Sequence, residues 1–142
     1  MNRQPGRWEH FAHEADVGVR GIGADMRTAF EQAALALTAV VTDPAAVRPA
    51  EKREFDCEAP DQELLLVDWL NALIYSMGTD FLLYSKFEVA IAGTGLHASA
   101  WGEKLDVARH LPTVEVKGAT FTELAVRQRA DGSWIAQCVV DV

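Results

Sequence analysis

Two places in the sequence gather groups able to do chemistry. The first is Val139-Val140-Asp141-Val142, which closes the sequence. Its apolar residues read as a buried strand, so the Asp141 side chain and the α-carboxylate of Val142 lie within a few ångströms of each other. Adjacent like charges cost free energy, and a nearby cation relieves them. The second is His13-Glu14-Ala15-Asp16, a stretch rich in ionisable side chains between two apolar runs. Acids beside a His can ligate a divalent ion. Together, Asp16, Asp141 and the Val142 carboxylate make an all-oxygen set suited to a hard ion such as Ca²⁺, Mg²⁺ or Mn²⁺ rather than zinc. Taken separately, each place has a plainer reading: a frayed terminus in water, and a solvated loop in which Asp16 caps a turn.

Other chemistries find less support. No Gly-x-Ser-x-Gly elbow occurs, and neither cysteine, Cys57 or Cys138, has a local base. The two form no CxxC pair and stand at no zinc-finger spacing from a His, so both are expected to pack as small apolar side chains. Gly21-Ile22-Gly23 and Gly93-Thr94-Gly95 lack the third glycine or the Gly-Lys-Ser/Thr ending of a phosphate cradle and are expected to be ordinary turns. Thirteen Lys and Arg against 21 Asp and Glu give a net charge of −8. Such a molecule repels polyanions, which argues against direct binding of nucleic acid and directs any link to RNA through another protein.

The elements that must position these groups follow from periodicity. At 142 residues and 49% hydrophobic, the chain is expected to fold as one globular domain over residues 1–142. Met1-Asn2-Arg3-Gln4-Pro5-Gly6 has no apolar leader and no run reaches the ~20 apolar residues of a membrane span, so a cytoplasmic protein with no membrane association is expected. Trp8 to Phe11 and Val17 to Ile22 read as strands, and Asp25 as the N-cap of a helix through Phe30, Ala33, Ala34, Leu37, Val40 and Val41 that stops at Thr42-Asp43-Pro44. Residues 51–58 alternate as a strand. Pro60-Asp61 opens a second helix with Gly78 as its expected stop, too apolar for a single buried stripe and therefore covered on more than one side. Phe87 to Ile91 and Leu96 to Ala100 form a hairpin, Val114 and Val116 begin a strand, and Phe121 to Arg129 joins Ser133 to Val140 across Asp131-Gly132. Trp69 and Trp101 are expected in the core. The fold class is α+β: a mostly antiparallel sheet carrying two α-helices.

In order along nearly the whole chain, the sequence resembles the archease family. Phe11-Ala12-His13-Glu14-Ala15-Asp16-Val17-Gly18 is similar to the family's His-Thr-Ala-Asp-(Val/Ile)-Gly signature. The match continues through Ala29-Phe30-Glu31-Gln32-Ala33-Ala34, Val41-Thr42-Asp43 and Leu64-Leu65-Leu66-Val67-Asp68-Trp69-Leu70-Asn71. Gly102-Glu103, Val116-Lys117-Gly118-Ala119-Thr120-Phe121 and the terminal Val139-Val140-Asp141-Val142 complete it. Departures are Glu14 for Thr, Gly118 for Ala, Phe121-Thr122 for Tyr-His, and Leu-Pro after His110 in place of an immediate proline.

The resemblance implies a small acidic protein that assists RtcB-type RNA-splicing ligases in tRNA maturation, promoting guanylylation of the ligase and its multiple turnover. It implies a metal site at Asp16, Asp141 and Val142, with Ca²⁺ the first choice of ion and Mg²⁺ or Mn²⁺ the alternatives. Asp43 and His13 are neighbours of that site. Lys117 matches a lysine near the acidic surface, where it either steers a nucleotide phosphate or pairs with the acids. The expected partner is an RtcB-type RNA ligase, with no direct nucleic acid contact. Two other classes stay open: a stand-alone metal-dependent hydrolase and a chaperone-like binding module without metal chemistry.

Overall fold

The computed structural model describes residues 6–142. Residues 1–5, on which the expectation of a chain without an apolar leader largely rests, lie outside the described residues. The elements are β1 (Arg7–His13), β2 (Asp16–Gly23), α1 (Met26–Val41), β3 (Glu51–Glu58), α2 (Gln62–Asp80), β4 (Leu82–Ala92), β5 (Gly95–Lys104), α3 (Val107–His110), β6 (Gly118–Ala119), β7 (Ala125–Gln128) and β8 (Trp134–Asp141), with a 3₁₀ turn at Pro44–Ala46. All strand pairs are antiparallel. The α+β class and the two long helices are as expected, but the strands divide into two sheets. The larger runs β1-β2-β8-β6 with β7 also on β8, and the smaller runs β3-β5-β4. The apolar character of α2 explains the division, because a helix apolar nearly all round needs cover on both sides. One side packs on β3, β4 and β5, and the other on β6, β7 and β8.

Asp25 caps α1 by accepting the Thr28 N–H at 2.9 Å. The helix ends at Thr42, before Asp43-Pro44, where proline bars its continuation. Its small-residue face lies directly on β2. A Cβ at Gly21 would stand 2.0 Å from the Ala29 carbonyl oxygen and 2.3 Å from the Ala33 nitrogen, so only glycine permits this approach. The Gly21-Ile22-Gly23 cluster is therefore packed strand rather than a turn. Gly93, at φ 61°, does serve the β4–β5 turn as expected.

Asp61 caps α2 by accepting the Leu64 N–H at 2.8 Å. The helix does not stop at Gly78 but runs to Asp80, with Phe81 as its cap in the left-handed region at φ 54°. Two bonds hold that ending: Lys104 Nζ donates to the Asp80 carbonyl at 2.7 Å, and the Leu105 N–H donates to the Phe81 carbonyl at 2.7 Å. Trp69 is fully buried, with its indole N–H on the Phe30 carbonyl at 3.2 Å and Phe55 and Phe87 edge-on to its ring. Trp101 is not in the core. It lies half-buried on the outer face of β5, with the ammonium groups of Lys52 and Lys86 over its ring at 5.6 and 4.6 Å.

Each helix also closes an edge of one sheet. On α1, Glu31 accepts the Val89 N–H at 2.8 Å and the Thr38 hydroxyl donates to the Tyr84 carbonyl at 2.7 Å, both on edge strand β4. On α2, the Asn71 carbonyl oxygen accepts the Ala119 N–H of β6 at 2.9 Å. These contacts satisfy strand groups that would otherwise template pairing with another chain.

The strand expected to begin at Val114 does not form there. The free carbonyls at the end of α1 capture this segment instead, with the Thr113 N–H on Val41 at 2.9 Å and the Thr113 hydroxyl on Val40 at 3.0 Å. Pairing to β8 starts only at Gly118. The β7–β8 hairpin turns at Asp131-Gly132 as expected, although β7 begins at Ala125 because Glu123, at φ 55°, turns the preceding chain.

Candidate functional site

The β1–β2 hairpin is closed by Glu14-Ala15, with Glu14 at φ 53°, the positive φ that the first position of a tight hairpin turn requires. This turn sets His13 opposite Asp16. The β2–β8 register pairs Val17 with Val140, and one step further it sets Asp16 opposite Asp141. Cross-strand partners share a face, so His13, Asp16 and Asp141 form a row across three strands on one side of the sheet. That side faces away from α1, because Gly21, against the helix, is out of phase with Asp16 along β2.

The segment ending at Val142 is tied rather than frayed. Asp16 Oδ1 accepts the Val142 N–H at 3.3 Å, and the Asp141 carbonyl accepts the Lys117 N–H at 2.8 Å. Asp16 therefore bonds to the far segment of the chain instead of capping its own turn. The structure thus brings together His13, Asp16, Asp141 and Val142, with Lys117 joined through its backbone.

Asp43 belongs to the same end of the sheet on the opposite, helical side. Gly23 approaches Thr28 while Gly21 approaches Ala33, so α1 runs back along β2 toward Asp16 and delivers Thr42-Asp43 there. The Asp43 carboxylate is engaged locally, accepting the Ala45 N–H at 3.0 Å.

Among the described residues no group of three or more His, Cys, Asp and Glu side chains is close enough to hold a metal ion. The donors at this corner are two side-chain carboxylates and backbone oxygen. Carboxylate and carbonyl oxygens are hard donors, the kind that suits Ca²⁺ or Mg²⁺ better than zinc. Neither cysteine is a ready thiolate nucleophile. Cys138 is buried, with its thiol pushed up to about 12 by burial, and the half-buried Cys57 thiol is also raised by burial.

Glu103 and His110, which the sequence singles out only through the family resemblance, have a positioning role together with Arg48 and Arg109. Glu103 Oε1 meets Arg109 at 2.6 Å, while Oε2 accepts from the Arg48 N–H at 2.7 Å and from His110 Nε2 at 3.0 Å. The Asp106 N–H donates to His110 Nδ1 at 2.9 Å, so the ring hydrogen is on Nε2 and points at Glu103. Arg109 and the Arg48 amide hold the Glu103 carboxyl at about 2. Arg109 also donates to the Ala46 carbonyl, and the Thr42 hydroxyl to the His110 carbonyl. The network fastens the strap of residues 105–116 to the end of α1 and so fixes Thr42-Asp43. Glu103 and His110 lie on different elements, and no local periodicity in the sequence marks them as partners.

The profile of the archease protein family (MTH1598/TM1083) matches residues 8–142. The archease of Pyrococcus abyssi is 40% identical over 140 residues, covering 96% of this chain and 99% of that protein. The archease of Sulfurisphaera tokodaii is 36% identical over 138 residues at the same coverage. Among solved structures, Methanobacterium thermoautotrophicum protein 1598 superposes with a TM-score of 0.81 at 36% identity, covering 95% of this chain and 98% of that one. A Thermotoga maritima protein, described as an archease and possible chaperone, shares the fold at a TM-score of 0.58 and 15% identity, covering 100% of this chain and 98% of that one.

Proposed function

The chain therefore belongs to the archease family, and from that membership we propose that it is a non-catalytic, cation-binding activator of an RtcB-type RNA ligase, promoting ligase guanylylation and repeated turnover in tRNA maturation. The observation that carries the reading is the meeting of Asp16 with Asp141-Val142 across 126 positions of sequence, at the residues that match the family's acidic motif. When bound there, a divalent ion would supply positive charge that the ligase nucleotide site can use. Asp16, Asp141 and the Val142 carboxylate would hold it, with His13 beside them. Asp43 closes the same end of the molecule, and Lys117 either steers a nucleotide phosphate or offsets the acids. A net charge of −8 supports docking on a basic ligase rather than on RNA.

The test is multiple-turnover ligation by the cognate ligase with substoichiometric wild-type or Asp141→Ala protein. Wild type is expected to raise both the guanylylated fraction and the turnover number, and Asp141→Ala to fold normally and lose most of that effect. No change with wild type refutes the activation reading. Full stimulation by Asp141→Ala leaves activation standing and refutes the site. More soluble ligase at an unchanged guanylylated fraction would instead mark a chaperone-like role.

A further inference from the structure

We propose that the apolar groove at the C-terminal end of α2 is the surface on which the partner ligase docks, through a segment whose bulky apolar side chains are flanked by Lys or Arg; this rests on the activator reading above. The groove encloses about 460 Å³ between the ends of α1 and α2 and the strap, with Val41, Ile74, Met77, Leu83, Leu105 and Val116 in its walls. Gly78 is also in the wall, and a Cβ there would meet nothing within 4 Å, so the space is open. At its rim Phe81 is 62% exposed, and on the strap beside it Leu111 is 70% exposed.

Both of these residues cap helices in the left-handed region, at φ 54° and 49°, where glycine is the unstrained choice. Bulky apolar side chains are thus held in water at two strained positions, Phe81 in the groove lining and Leu111 next to the lining residue Pro112. The face is pre-formed, because the Glu103–Arg109–His110 network and the Thr113 bonds to Val40 and Val41 fix the strap. A pre-formed surface loses little ordering entropy on binding.

Charge selects the occupant. Glu115 lines the groove, Asp80 and Asp106 adjoin its lining residues Phe81 and Leu105 in the chain, and Asp43 is two residues from Val41; none of the four forms an ion pair among the described residues. The local cations are fewer: Arg109 is held by Glu103, which leaves Lys104 and Lys117. An apolar groove with an acidic border matches an apolar segment with basic flanks. The groove shares its end of the molecule with the acidic residues: Val41 is two residues from Asp43, and Val116 adjoins Lys117, whose N–H bonds to the Asp141 carbonyl. A segment seated here brings the rest of its protein to that end of the molecule.

The experiment compares wild type, Phe81→Gly/Leu111→Gly and Gly78→Leu for calorimetric binding to the ligase and for the dose dependence of stimulation. The glycine pair removes the exposed side chains and relieves their backbone strain, so its stability to urea should not fall. Gly78→Leu fills the open groove on a helix position that favours leucine. Each variant is expected to bind at least tenfold more weakly, to reach wild-type stimulation only at higher concentration, and wild-type binding is expected to weaken with added NaCl. Variants that bind within twofold of wild type overturn the docking surface while leaving activation intact. A wild type that neither binds nor stimulates overturns the activator reading and the docking surface with it. A wild-type dimer that the variants dissociate, with ligase affinity unchanged, assigns the groove to a second copy and also overturns the proposal.

Discussion

Gly21→Ala and Gly78→Ala make the same chemical change and should shift stability in opposite directions. At Gly21 the new methyl meets the Ala29 carbonyl oxygen at 2.0 Å, whereas ordinary contact begins at 3.4 Å. Both opposing atoms are helix backbone and cannot rotate aside, so α1 must retreat from β2 by about 1.4 Å, the difference between those two distances. Overpacking of this kind costs about 1–3 kcal/mol, and the absence of any flexible neighbour puts this case at the upper end. The reduced entropy of the unfolded chain offsets roughly 0.4–1 kcal/mol, which leaves a net loss of about 2 kcal/mol. For a chain of this size that lowers Tm by roughly 4–8 °C. Gly78, by contrast, is exposed inside α2 with nothing within 4 Å of a Cβ, and alanine there should gain about 0.8–1 kcal/mol of helix propensity. Urea denaturation followed by circular dichroism and tryptophan fluorescence reads both, with an unchanged m-value marking a pure stability effect. A Gly21→Ala protein as stable as wild type would show that the helix does not approach the sheet this closely. Because α1 carries Val41 and Thr42-Asp43 at its far end, Gly21→Ala should also weaken stimulation of the ligase.

Titration calorimetry with Ca²⁺ or Mn²⁺ should detect a site in the wild type that is lost in Asp16→Ala and weakened by residues appended after Val142; equal binding by all three proteins would eliminate it. For Glu103, the folded carboxyl at about 2 lies below its ordinary value of 4.5, so its stabilising contribution is complete above pH 4.5 and is lost as pH falls toward 2. Denaturation curves of wild type and Glu103→Gln should accordingly differ most at neutral pH and converge near pH 2, and a gap independent of pH would contradict the assigned ion pairs. A thiol reagent should leave the buried Cys138 untouched in the native protein and reach it only in urea, with the half-buried Cys57 reacting first and slowly. Two equivalents of rapid native reaction would refute the burial of Cys138.

Much of this architecture was legible because it is written in local terms. Asp25 and Asp61 announce helix starts through short side chains that accept amides three residues on, and Asp131-Gly132 announces a hairpin through one glycine at positive φ. What failed depends on tertiary partners. Gly78 is a fair helix stop until Lys104 supplies a donor to Asp80, and Gly21-Ile22-Gly23 reads as a turn until α1 lies across it. Val114 alternates like a strand but hangs from the open end of a helix, and Trp101 finds two lysines on an outer face instead of a core. The acidic residues themselves were legible as candidates from composition and resemblance. Their meeting was not, because the β2–β8 register that sets Asp16 opposite Asp141 joins strands from opposite ends of the sequence.

That pairing bears on folding kinetics. Hairpins such as β4–β5 close loops of a few residues, whereas β2 finds β8 only by closing a loop of more than a hundred, at an entropic cost that grows with the logarithm of its length. Topologies dominated by such contacts fold slowly, and the β2–β8 ladder should be among the last to form. The acidic corner is then assembled by the slowest step of folding. A stopped-flow signal from bound cation would lag the helical signal, and any ion that prefers the paired carboxylates would retard unfolding by holding together the two strands whose separation is hardest to reverse.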